Sequence, residues 1–63
     1  MEFLEKYVVV NIERGMVAWC ETWPAALRRQ KEAGGIVINT ETAPRWVTEK
    51  ALAEARAVAG MGE

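Results

Sequence analysis

Lys6-Tyr7-Val8-Val9-Val10-Asn11-Ile12, followed by Glu13-Arg14-Gly15 and then by Met16-Val17-Ala18-Trp19-Cys20-Glu21, is the stretch on which the fold turns. The first segment is β-branched and aromatic and too short for a helix, so it is expected to be a strand. Gly15 takes a positive φ at no steric cost. A short turn ending in glycine between two apolar runs signals a β-hairpin, with the second segment as the return strand.

Downstream, Thr22-Trp23-Pro24 is expected to open a helix. Thr22 suits the N-cap, and proline is tolerated in the first turn because its missing N–H would have had no partner there. The helix is expected to run through Ala33 and to stop at Gly34-Gly35. Ile36-Val37-Ile38-Asn39 reads as a third strand. A last helix is expected from Pro44 or Val47 through Ala59, ended by Gly60. Its apolar stripe is Val47, Ala51, Ala55 and Val58, widened by Leu52 and Ala59.

The expected architecture is a single α+β domain spanning residues 1–63, in the order β-β-α-β-α. A helix joins the second and third strands, so these should run parallel through a right-handed crossover. The result is a three-stranded mixed sheet packed by two helices.

A chain of 63 residues buries a small core, and domains of this size usually need a disulfide, a metal or a partner. Cys20 is the one cysteine and there is no histidine, so neither an internal disulfide nor a structural zinc site can form within one chain. No metal and no cofactor are expected, and oligomerisation is the remaining staple. Both faces of the hairpin carry apolar groups: Val8, Val10 and Ile12 on one, Tyr7 and Val9 on the other. Two helices on one side would leave the other face bare, which a homodimer would cover. The alternative is one helix on each face and a complete monomer.

The net charge is −1, which argues against a general nucleic-acid coat protein. The opening Met1-Glu2-Phe3-Leu4-Glu5 has neither a basic segment nor a long apolar run. No export signal or membrane span is expected, and a lone cysteine suits the cytoplasm.

The chain contains no His, Asp or Ser, so the usual nucleophile–base pairs cannot be assembled and an enzyme is not expected. Cys20 lacks a histidine base, and Glu13, Glu21, Glu49 and Glu54 are scattered. The richest candidate set is aromatic: Trp19, Trp23 and Trp46, with Tyr7 beside them. Trp23 and Trp46 stand near the starts of helices that follow parallel strands, so they are expected along one edge of the sheet with Thr22, Thr40, Thr42 and Arg45. That edge offers helix N-termini, a guanidinium and stacking faces, the chemistry of a small anionic, nucleotide-like ligand. The plain alternative is that the indoles fill the core. Arg28, Arg29 and Lys31 form a basic patch, either for phosphates or simply as a solvated helix face.

The function expected first is a non-enzymatic interaction protein. It would be an inhibitor, adaptor or regulator that acts as a homo-oligomer and docks on a larger protein. Binding of a nucleotide-like anion comes second, and nucleic-acid binding third.

Overall fold

The structure is a computed structural model that describes residues 3–61. Strands β1 (Tyr7–Asn11) and β2 (Met16–Cys20) form the hairpin. They are followed by helix α1 (Trp23–Ala33), strand β3 (Ile36–Asn39) and helix α2 (Arg45–Met61). This is the α+β order expected from the sequence.

Pairing in the sheet follows the order β2-β1-β3. β1 is antiparallel to β2, with Val9 opposite Ala18, and antiparallel to β3, with Val9 opposite Val37. β2 and β3 do run in the same direction, joined through α1. They are not neighbours, however, because β1 lies between them. Every hydrogen-bonded pair is therefore antiparallel, and the sheet is not mixed. The physical reason lies in Val8-Val9-Val10. A continuous apolar run is buried on both faces and belongs in the centre of a sheet, and all three valines are almost completely enclosed.

The helices lie on opposite faces. Val8, Val10 and Ile38 pack against Ala51, Leu52 and Ala55 of α2. Val9 and Cys20 pack against Ala26 of α1, with Tyr7, Met16, Ala18 and Val37 around them. Each face is thus covered by a helix, so the bare face on which the expectation of a dimer rested is not present among the described residues.

Three local devices hold the layers together. Thr22 caps α1 by accepting the Ala25 N–H at 3.3 Å. Asn11, at the end of β1, donates from Nδ2 to the Ala33 carbonyl at 2.9 Å and accepts the Arg14 N–H at 3.2 Å, tying the hairpin turn to the C-terminus of α1. The Thr40 N–H and Oγ1 both donate to the Lys6 carbonyl at 2.8 Å, fastening the exit of β3 to the entry of β1.

Two glycines are required by close approach. Gly15 has φ +64°, and a Cβ there would lie 2.6 Å from the Ala59 backbone nitrogen, so the hairpin turn rests directly on α2. Gly35 has φ +95°, and a Cβ there would lie 2.3 Å from the Val10 carbonyl oxygen. Gly60 does not end α2 as the sequence suggested. The helix continues to Met61, and nothing lies near the position a Gly60 Cβ would occupy. Thr48 is fully buried inside the α2 stripe, with no hydrogen-bond partner for its hydroxyl.

Gly15→Ala should lower the unfolding free energy by about 2 kcal/mol or more, from left-handed strain plus overlap with Ala59. Gly60→Ala should raise it by roughly 0.4–1 kcal/mol by removing the extra unfolded-state backbone entropy of a glycine in the last helical turn. Urea denaturation of the two variants checks this opposite response. Thr48→Val keeps the side-chain shape and deletes an unpaired buried hydroxyl, so it should stabilise by about 1 kcal/mol. A thermal melt that falls instead would show that the hydroxyl is satisfied in solution.

Candidate functional site

β1 begins where β2 and β3 finish, and all five aromatic side chains of the chain gather at that end of the sheet. Side-chain alternation along the strands divides them between the two faces. On the α2 face, the Trp19 ring lies 6.1 Å from Phe3 between centroids, and the Arg45 guanidinium sits 4.6 Å from the centre of the Phe3 ring. Arg45 also pairs with Glu49 at 3.7 Å along α2. Trp46, the next residue, is 67% exposed. On the α1 face, the Tyr7 ring lies 5.7 Å from Trp23, tilted by 60°, with the Lys6 ammonium 5.5 Å from the Tyr7 centroid. Trp23 is 48% exposed, and Leu4 adds a further exposed apolar side chain.

The expected convergence of helix starts is present: α1 and α2 both begin at this end. They begin on opposite faces of the sheet, though, so Trp23 and Trp46 flank the sheet edge from two sides and do not wall one pocket. Thr22 spends its hydroxyl on the α1 cap. Thr42 is exposed in the turn after β3, its N–H bonded to the Asn39 carbonyl at 3.2 Å. Thr40 is committed to Lys6. The nucleotide-like pocket expected along this edge thus lacks the enclosure that stacking and anion contacts need.

The basic residues of α1 divide between two hollows. Arg28 and Lys31 line a depression of about 380 Å³ with Pro24, Leu27 and Gln30. A single helix supplies all of its walls, so it is an outer helix surface and not a cavity. Arg28 and Arg29 also border a cleft of about 260 Å³ between β2 and α1, with Trp19, Cys20, Ala25 and Glu32. Arg29 pairs weakly with Glu32 at 4.0 Å, and both side chains are well exposed. A pair of that kind contributes little to stability. Cys20 is a free, buried thiol at the floor of this cleft. Among the described residues, no three His, Cys, Asp or Glu side chains come close enough to hold a metal ion, and no helix is long and apolar enough to cross a membrane.

Sequence reasoning missed two contributors. Phe3 bridges Trp19 and Arg45, and its signal was the apolar Phe3-Leu4 pair ahead of β1. The cleft along β2 was missed because it depends on which strand forms the sheet edge. Comparison with protein-family models, with curated proteins and with solved structures finds no match to this chain.

The exposures predict how the indoles meet solvent. Iodide should quench Trp46 most and Trp23 next, with Trp19 least affected. Trp46→Phe should remove most of the quenchable emission. Equal quenching of all three tryptophans in steady-state titrations would contradict this arrangement.

Proposed function

We propose that this chain is a non-catalytic interaction protein that docks on a larger protein through the aromatic end of its sheet. The observation that carries the reading is the segregation of every aromatic ring to one end, with Trp46, Trp23 and Leu4 left open to solvent there. A domain this small has few large side chains with which to build its core. Its core nevertheless uses valines, alanines, Leu52 and Ile38, while its two most exposed indoles contribute little to it. Tryptophan and arginine dominate binding hot spots because a large rigid surface is desolvated at small entropic cost. Arg45, held against Phe3 beside Trp46, fits the pattern of an apolar anchor with a charged neighbour.

A non-enzymatic role agrees with the residue inventory, which offers no His, Asp or Ser for proton transfer or nucleophilic attack. Both sheet faces are covered by helices, so the reading stands on the aromatic end and does not need a self-paired sheet. The anionic-ligand alternative is weaker, since the helix starts lie on opposite faces. Nucleic-acid binding is weaker still, because the net charge is −1 and Arg29 is partly neutralised by Glu32.

The test is photo-crosslinking from position 46 in cells, followed by binding of the captured protein in purified form. Trp46→Ala and Trp23→Ala should each weaken that complex at least tenfold, a loss of about 1.4 kcal/mol or more. Thermal stability should stay nearly unchanged. Ile36→Ser, which alters an equally exposed apolar residue at the opposite end of the sheet, should leave binding intact. Unaltered affinity in both tryptophan variants, or substrate turnover by the purified metal-free chain, would remove this reading.

A further inference from the structure

The two outer strands of the sheet are not equivalent. The Thr40 N–H bonds the Lys6 carbonyl, which fixes the hydrogen-bond alternation along β1. Ile36 and Ile38 therefore turn their backbone groups towards β1, and Val37 and Asn39 turn theirs outward. This outer edge of β3 is blunted at both ends. The Asn39 carbonyl accepts the N–H groups of Thr42 and Ala43 at 3.2 and 2.9 Å, and Gln30 Nε2 donates to the Gly35 carbonyl at 3.0 Å.

On β2 the same alternation sends the backbone groups of Met16, Ala18 and Cys20 inward and those of Val17 and Trp19 outward. No turn, cap or side-chain hydrogen bond among the described residues engages Val17 or Trp19. Met16–Cys20 also carries no charged residue and no proline, the usual protections of an open edge. Beside this edge runs the 260 Å³ cleft between β2 and α1.

We propose that the β2 edge is a strand-addition site for an extended acidic segment of a partner protein. Added beside β2, such a segment would pair its backbone with Val17 and Trp19 and place alternate side chains in the cleft. The charge of the cleft selects the occupant. Glu32 is offset by Arg29, leaving Arg28 as the uncompensated cation facing the cleft. A second copy of this chain fits less well. Antiparallel pairing of β2 with its own copy would lay two α1 helices side by side, with Arg28, near the middle of each, opposite its counterpart. This site shares Trp19 with the aromatic end but uses neither Trp23 nor Trp46, so it does not depend on docking there.

The probe is a blocked heptapeptide of alternating valine and glutamate. Its controls are the same peptide with lysine for glutamate, and a version N-methylated on alternate amides. Amide hydrogen exchange resolved by NMR is the readout. In the free protein the Val17 and Trp19 amides should exchange fast, and those of Met16, Ala18 and Cys20 slowly. The glutamate peptide at about millimolar concentration should slow Val17 and Trp19 by roughly tenfold or more, an effect that reports edge occupancy. The lysine peptide should bind at least about tenfold more weakly, and N-methylation should abolish the protection. Arg28→Glu, at an exposed helix position, should reverse the preference between the two charged peptides. Trp46→Ala should leave peptide protection unchanged, which separates this site from the aromatic end. The proposal fails if several millimolar glutamate peptide leaves both amides unprotected, if the N-methylated peptide protects equally, or if Arg28→Glu does not alter charge preference. It also fails if the free protein sediments as a dimer with Val17 and Trp19 already protected, since the occupant would then be a second copy.

Discussion

Val8, Val9 and Val10 lose essentially all contact with solvent because β1 has a strand on each side and a helix on each face. The remaining structure follows from enclosing this strand. A run of three consecutive valines has no polar face to show water, so both sides of the sheet must be covered. The described residues form two helices, and each takes one side. Sending α1 over one face and α2 over the other requires the backbone to cross close to β1 and to the hairpin. Glycine stands at those crossings, with Gly35 against Val10 and Gly15 against Ala59. Full burial of a valine contributes roughly 1.5–3 kcal/mol, so this tripeptide is a concentrated source of stability in a chain whose one cysteine cannot form an internal disulfide.

The same enclosure explains what could be read from the amino-acid sequence. The hairpin, the capped α1 with its glycine stop, and β3 were all legible, because each rests on local chemistry: Gly15 with positive φ, Thr22 accepting the Ala25 N–H, and Gly34 following Ala33. Strand order was not legible through connectivity, since a helical crossover suggests adjacency of β2 and β3 and is equally satisfied when a third strand lies between them. The Val8-Val9-Val10 run held the signal. It marks a central strand, whereas the mixed character of Met16-Val17-Ala18-Trp19-Cys20 suits an edge. Two apolar faces imply either a second chain or one helix per face, and the periodicity of α1 and α2 is the same in both cases. Only the packing of Ala26 on one side and of Ala51, Leu52 and Ala55 on the other separates them.

For the candidate site, residue type was more informative than placement. Tryptophan excess, with Trp23 and Trp46 near the starts of the two helices, pointed to the end of the sheet where the rings gather. Its distribution over two faces followed from the helix layers and could not be read ahead of them. Thr22 and Thr40, and likewise Asn11 at the hairpin end, show why polar residue type is a poor guide by itself. Each has its side chain engaged by backbone groups of the fold, as a cap or a clamp, and none is available to a ligand without a loss of stability.

The division of labour between the two ends of the sheet has a physical basis. At the hairpin end the backbone segments approach so closely that a Cβ cannot be added at Gly15 or Gly35 without a backbone shift. At the opposite end, where the connections Glu21–Thr22 and Thr40–Pro44 lead into the helices, the rings gather. Rings that only fill a gap are buried by it. Trp19, Phe3 and Tyr7 are partly covered in this way, but Trp46 stands two-thirds exposed, beyond the reach of the layers it adjoins. An indole in that position adds little to the fold of the isolated chain. Its surface is stabilising only where another molecule completes the enclosure that the chain itself does not supply.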